Sequence, residues 1–421
     1  MSERSGRWAP GRGRGALGSG RWARLARLLL WPRTTDYGLR TDSGRPPGAS
    51  GLQPTAYSPQ PGDRRVGRRC LILLLSLSGA ISAEVPGAYP DVVPGREIRF
   101  PQDEGSHPDY RIEWWYVTGW LADPSGAPLG FQVTFFRTRV TGNEGNPSNF
   151  AVKQLLFAHA ALSDPSRGRL LHAERAARAG FGLAEARAGR TDVVLEDWAL
   201  VQHGDRYDAQ VIADDFAFGL SFTRTQPPLL HGDGGYSRKG PDPLSASHYY
   251  THPHLEVTGT VMLAGDRREV RGEAWFDHEW SSRILDADAT GWDWIGINLD
   301  DGGALMAFRL RNREGGEHWA AATLRTADGS ITMFGPEAVE WLPGRHWTSP
   351  RTGIDYPVEF DVRIGERRLR LEPMMDDQES DSRGSTGTIY WEGAVRAYDA
   401  SGEFSGRGYL ELTGYGERLN L

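Results

Sequence analysis

From Glu84 onward, apolar positions recur with the period of strands rather than of helices. Trp114-Trp-Tyr-Val-Thr-Gly-Trp-Leu121 is aromatic and β-branched. A turn at Asp123-Pro-Ser-Gly126 follows, then Gly130-Phe-Gln-Val-Thr-Phe-Phe-Arg137. Two such runs around a Gly/Pro turn predict a β-hairpin. Leu155 to Leu162 predicts another strand, closed by Ser163-Asp-Pro-Ser166. Val193 to Leu200, Tyr207 to Ile212 and Phe216 to Phe222 continue the series. Turn signals return about every eight to twelve residues, the spacing of a barrel or sandwich. Leu171 to Ala188 is Ala/Arg-rich, but Gly180 and Gly182 interrupt it, so no long helix is placed there.

The pattern repeats. Trp292-Asp-Trp-Ile-Gly-Ile-Asn-Leu299, Asp300-Asp-Gly-Gly303 and Ala304 to Arg309 echo Trp114 to Arg137. Setting Tyr116 on Trp294 brings Val117 onto Ile295, Leu121 onto Leu299 and, after a shorter loop, Arg137 onto Arg309. Phe157 to Asp164 and His318 to Arg325 then correspond. Two copies of one β unit follow, with the boundary near residues 262–270. The expected domains are 98–265 and 266–421. Gln226 to His254, rich in Gly and Pro, reads as a long connection near that boundary.

The first 83 residues differ. Arg68 and Arg69 precede Leu71 to Ala83, a short apolar run ending in small residues, which predicts a signal peptide over 66–83 cut near Ala83. The run is too short for a permanent membrane span. The expected destination is the periplasm or the exterior. Residues 1–65 read as a disordered extension, with translation expected to begin near Val66; Arg21 to Trp31 could form a basic amphipathic helix within it. The sole cysteine, Cys70, lies in the export segment, so neither a disulfide nor a Cys-ligated zinc is expected in the body.

Charge sharpens the picture. Residues 1–69 carry 14 Arg, no Lys and four acids (Glu3, Asp36, Asp42, Asp63), a balance of +10, which leaves −17 on the remainder of a chain whose net charge is −7. An acidic body excludes nucleic acid as its partner. Lys153 and Lys239 are the only lysines; the abundance of Arg reads as a GC-rich genome. Fifteen Trp in a Gly-rich chain suggest strands lining something.

Candidate chemistry centres on Trp275-Phe-Asp-His-Glu-Trp280. In a strand, Asp277 and Glu279 share one face with Trp275, while Phe276, His278 and Trp280 share the other. A carboxyl in an apolar barrel has its pKa raised, so it can stay protonated and act as an acid, which on donating to carbon leaves a cation. Aromatic faces from Trp114, Trp115, Trp292 or Trp294 would stabilise the resulting cation. The competing reading is a carboxylate–Arg network joining two barrels. Glu113 and Trp115 face one way, Trp114 and Tyr116 the other; plain aromatic packing competes with cavity lining.

Ser247-His-Tyr-Tyr-Thr-His-Pro-His254 could bring His252 and His254 onto one face as metal ligands; a polar rim with Tyr249 and Tyr250 hydrogen-bonding at the domain junction is preferred, and no metal or cofactor is expected. Asp376-Asp-Gln-Glu-Ser-Asp381 lacks the Gly and ligand order of a calcium loop and reads as solvated or Arg-paired. Ser281 and Ser282 lie near His278 without a nucleophile elbow. There is no P-loop and no dinucleotide fingerprint.

Four segments together carry a resemblance: Asp109-Tyr-Arg-Ile-Glu-Trp-Trp-Tyr-Val-Thr-Gly119, Gly240-Pro-Asp-Pro243, Trp275-Phe-Asp-His-Glu-Trp-Ser281 and Trp292-Asp-Trp-Ile-Gly-Ile-Asn298. The chain from about residue 98 to 421 resembles the AttH/CrtC family, and is nearer its AttH-like branch than the carotenoid 1,2-hydratases. The resemblance implies an all-β fold of two lipocalin-like (calycin) β-barrel domains. It also implies three roles: carrier of a lipid or isoprenoid; hydro-lyase or cyclase acting on such a ligand, with Asp277 as proton donor and His278 and Glu279 beside it; or accessory partner of a membrane transporter. Expected ligand-binding residues are Glu113, Trp114, Trp115, Tyr116, Tyr249, Tyr250, Trp280, Trp292 and Trp294.

Overall fold

A computed structural model describes residues 89–143 and 145–419. The expected signal peptide with Cys70, the Arg21–Trp31 stretch and the rest of residues 1–65 lie outside the described residues. Within them the fold is all-β; the exceptions are two 3-10 turns, Gln102–Glu104 and Pro336–Ala338.

A 13-stranded antiparallel sheet comes first. Its opening strand, Ile112–Ala122, pairs on one side with Pro128–Arg139, followed outward by Gln154–Ser163 and Leu171–Arg178. On its other side lies Asp266–Arg283, then Ala246–Leu263 and Phe216–Thr223, with shorter strands beyond. The ends of this path meet across a common core: Leu171 packs in the same cluster as Val193 and Leu195, and Arg175 donates to the Ile212 carbonyl at 3.1 Å. The sheet is thereby a nearly closed barrel.

A 10-stranded sheet repeats the plan. Gly291–Leu299 pairs with Ala304–Arg311, then Glu317–Arg325 and Ile331–Phe334; its other neighbour is Phe404–Leu412, followed by Thr388–Tyr398. In each sheet the opening strand also holds the last strand. The repeat extends to an ion pair. Arg137 lies opposite Glu113 and bonds it at 2.8 Å; Arg309 lies opposite Asp293 and bonds it at 2.6 Å.

The division between the units falls later than the sequence suggests. Residues 266–283 belong to the first sheet, paired with both Ile112–Ala122 and Ala246–Leu263. Residues 264–265 are a tight hairpin turn, with φ of 52° at Ala264 and 92° at Gly265, and the crossover to the second sheet occupies 284–290. A turn signal therefore marked a hairpin, not a domain boundary. Two smaller differences have local causes. Glu196, at φ 57°, breaks Val193–Leu200 into two strands. The expected connection 226–254 contains two short strands and the start of Ala246–Leu263.

The three largest apolar cores among the described residues follow from strand alternation. Trp115, Val117, Phe131, Phe222 and Phe276 fill the first barrel. Ile295, Ile297, Trp391 and Leu410 fill the second unit. The third core lies between the sheets, made from their outward faces: Tyr116, Trp120, Tyr249, Trp275, Trp294, Met306 and Phe308. Each large side chain buried there stabilises the junction by on the order of 2 kcal/mol. The Trp120 indole donates to the Gly408 carbonyl at 3.0 Å across it. Gly296 makes room for two indoles: a Cβ there would stand 2.6 Å from Trp294 and 2.8 Å from Trp275.

Candidate functional site

The intersheet core is incompletely filled. A cavity of about 900 Å³ opens between the two outward faces, lined on the first sheet by Trp114, Tyr116, Tyr249, Asp277 and Glu279, and on the second by Trp292, Trp294, Phe308, Glu392 and Glu411. Register explains the grouping. Trp114 lies opposite Glu279 and Tyr116 opposite Asp277, and directly opposed residues of an antiparallel pair share a face. The alternation expected for Trp114/Tyr116 and for Asp277/Glu279 therefore describes one wall. The cavity lies between the units, not inside a barrel as expected, because the first barrel's interior is occupied by its own aromatic side chains.

Asp277 is 2% exposed. Burial pushes its pKa up to about 7, against hydrogen bonds from Thr251, Tyr249 and Trp275 that pull it down. The Tyr249 hydroxyl donates to Oδ2 at 2.8 Å and the Trp275 indole to Oδ1 at 2.8 Å; Thr251 donates to Oδ1 as well. Tyr249 accepts in turn from the Trp294 indole at 3.0 Å. Among the described residues no arginine bonds Asp277, so the Arg-network reading does not describe it. A carboxyl that is half protonated near neutrality and borders a cavity can donate or accept a proton there.

Glu279 is committed elsewhere. Lys239 bonds it at 2.9 Å, with both side chains buried, and Ser247 donates to it. The Lys239 ammonium also lies 4.1 Å from the Phe308 ring centre and 4.8 Å from that of Tyr249. Sequence reasoning passed over Lys239; its signal was a lysine in a chain that otherwise uses arginine. Glu392 and Glu411 were also missed. Each is a lone carboxylate inside an apolar strand, Tyr390-Trp-Glu-Gly-Ala394 and Tyr409-Leu-Glu-Leu412, a pattern that signals a functional or paired acid. Burial, and then the charge of Glu411, raise Glu392 well above the usual range; burial raises Glu411 to about 7. Glu411 is deep in the protein yet partly accessible, because its surface faces the cavity.

The other face of the same strands carries a separate network inside the barrel. Trp115, Tyr250, His278 and Trp280 are fully buried there and are not among the residues that line the cavity. Glu113 borders the cavity, but its carboxylate is taken up on the barrel side by Arg137, Ser106, His107 and His278. Burial alone would lower His107; hydrogen bonds to Asp103 and Glu113 outweigh it and raise it. Burial alone would raise Glu113; His107, His278 and Arg137 hold it well below its usual range. His278 is lowered to about 4 by burial, and meets Tyr250 at 3.0 Å. His107 stacks on Trp280, ring centres 3.7 Å apart.

His107, Glu113 and His278 offer ligand atoms within 4.8 Å of one another, which is metal-like spacing. A dication would compete with Arg137, already 2.8 Å from Glu113, so the donor set fits a closed hydrogen-bond network better than a metal centre. His252 and His254 do not converge. An irregularity separates His252 from Leu255; His254, at φ 51°, turns to Glu273 at 2.6 Å and to the Gly303 carbonyl at 2.7 Å. Asp376 and Asp377 pair with Arg345 and Arg351, as the Arg-paired reading expects. Ser281 spends its hydroxyl proton on the Ala246 carbonyl, at 2.6 Å.

The chain matches the AttH-like family over residues 91–415. The crystal structure of an AttH from Nitrosomonas europaea is 52% identical, with a TM-score of 0.73 over 77% of this chain and 99% of that one. Kievitone hydratase from Nectria haematococca has the same fold at 13% identity, with a TM-score of 0.59 over 78% of this chain and 97% of that one. No curated protein matches the sequence.

Proposed function

The chain belongs to the AttH-like family, and on that premise we propose that it binds an apolar, unsaturated ligand of isoprenoid type between its sheets and adds water across one of its double bonds, with Asp277 as the acid. One observation carries this: Asp277 is buried where burial pushes its pKa up to about 7, and it borders an aromatic cavity. A cavity of about 900 Å³ is large enough for a drug-sized or longer terpenoid ligand.

The chemistry follows from the wall. The Asp277 proton passes to one alkene carbon and the π pair forms the new C–H bond. The cation left on the other carbon lies among Trp114, Trp292 and Trp294, whose π faces stabilise positive charge. A water oxygen forms the C–O bond and releases a proton. Positioned general acids contribute about 10²–10⁴ in rate.

The test is incubation with geranylgeraniol in ¹⁸O-labelled water, followed by mass spectrometry. The proposal expects one labelled oxygen in the product and its loss in Asp277→Asn, with the probe still bound. Binding without turnover in the wild type would make the protein a carrier of such ligands instead. Export is proposed on the Arg68–Ala83 segment alone; the mass of protein from its own host, expected to begin at Glu84, tests it. A transporter partner would be sought by crosslinking in that host.

A further inference from the structure

The second sheet sends two carboxylates into the cavity. Glu392 and Glu411 lie directly opposite on the neighbouring strands Thr388–Tyr398 and Phe404–Leu412, so their side chains leave one face with Cβ atoms about 5 Å apart. Among the described residues neither carboxylate forms an ion pair. One oxygen of Glu392 and the Tyr116 hydroxyl are buried with no hydrogen-bond partner within 3.5 Å, and the two groups are near enough for the hydroxyl to lower Glu392 and for Glu392 to raise Tyr116. Buried polar atoms with no protein partner, aimed into a cavity, are places for a ligand or water.

Two opposed carboxylates this deep do not both ionise readily: burial, and for Glu392 the charge of Glu411, raise them, so the pair carries a proton near neutrality. The pair then offers one O–H donor and one anionic acceptor. It stands on the wall facing Asp277, and a ligand in the cavity lies between an acid on one sheet and a half-protonated pair on the other.

We propose that Glu392 and Glu411, with Tyr116, hold the attacking water, and that the pair is the base that takes its proton; the inference rests on the hydration reading above. As the water lone pair forms the C–O bond, one water O–H bond breaks and its proton goes to the ionised oxygen of the pair. Both carboxyls are then protonated while Asp277 is a carboxylate. Return of the surplus proton to Asp277 restores the starting state, and the net change is alkene plus water to alcohol.

The test separates the two half-reactions. Protonation by Asp277 and its reversal exchange deuterium into the alkene without needing the base; alcohol formation needs both. Wild type, Asp277→Asn, Glu392→Gln and Glu411→Gln are incubated with geranylgeraniol in D₂O. Folding of each is checked by circular dichroism and probe retention by native mass spectrometry. The expectation is that Asp277→Asn loses both exchange and alcohol, whereas each Gln variant keeps exchange and loses alcohol formation by about tenfold or more. Gln variants that hydrate at the wild-type rate would overturn the proposal, as would variants that bind the probe yet lose exchange together with hydration. A wild type with neither exchange nor hydration would sink the hydration reading itself. The pair would then be read by infrared, where a protonated carboxyl band at neutral pH that either Gln variant removes is expected, and its absence would show that no proton is shared.

Discussion

Trp294 donates its indole N–H to the Tyr249 hydroxyl at 3.0 Å, and this one hydrogen bond crosses from the second sheet to the first. Because Tyr249 passes its own proton toward Asp277, the orientation of the buried acid depends on both units being in place. The site is thus a property of the junction, and neither sheet holds it alone.

Tyr249→Phe tests that dependence. The hydroxyl pulls the Asp277 pKa down, so removing it raises the pKa further. An acid that must be protonated loses activity as pH rises through its pKa. The fall in the kcat profile, placed near pH 7 in the wild type, is expected to move to higher pH in Tyr249→Phe. A profile that stays in place would remove Tyr249 from the acid's environment.

Asp277→Asn should stabilise the protein at alkaline pH. The folded-state pKa lies near 7 and the unfolded value near 3.9, so the folded chain binds the extra proton between them. Stability from this group is present below about pH 4 and is lost as pH rises to about 7. Asparagine does not ionise and escapes that loss. The gain is bounded by about 4 kcal/mol, at about 1.4 kcal/mol per pKa unit. Urea unfolding at pH 5 and pH 9 measures it, with a larger difference between variant and wild type expected at pH 9.

The two faces of one strand should respond differently to truncation. Trp115 is fully buried in the barrel, so Trp115→Ala is expected to cost about 3–5 kcal/mol of stability. Trp292 borders the cavity and is half-buried. Trp292→Ala should weaken geranylgeraniol binding by about tenfold while costing less stability. Parallel thermal melts and fluorescence titrations compare them.

Removing Arg137 leaves Glu113 as a buried charge short of its cation. Arg137→Met is expected to destabilise by about 3–5 kcal/mol. Double replacement with Glu113→Gln should recover part of that loss, and chemical denaturation of the three variants checks it.

Much of this was legible before any coordinates. The Trp114–Arg137 hairpin, its echo at Trp292–Arg309 and the alternation of Asp277 with His278 are all period-two signals, and they carried over into strands, repeat and faces. The inward face was not legible, because Trp114 and Trp115 are equally aromatic. A strand buried on both sides loses the polar–apolar alternation that would orient it. Placing the cavity between the sheets also required Glu392 and Glu411, more than a hundred residues beyond Asp277. Lys239 was visible only as an exception to arginine usage. The boundary at 265 failed because a hairpin turn and a domain linker share the same Gly-containing local signature.

The most direct test of the account is the ionisation of Asp277 itself. Infrared difference spectra across pH 5 to 9, taken on the wild type and on Asp277→Asn, isolate its carboxyl band. The account predicts a band that titrates with a midpoint near 7 and is missing from the variant. A midpoint below pH 5 would mean that Asp277 is an ordinary carboxylate at neutral pH, and it could not then be the acid of this site.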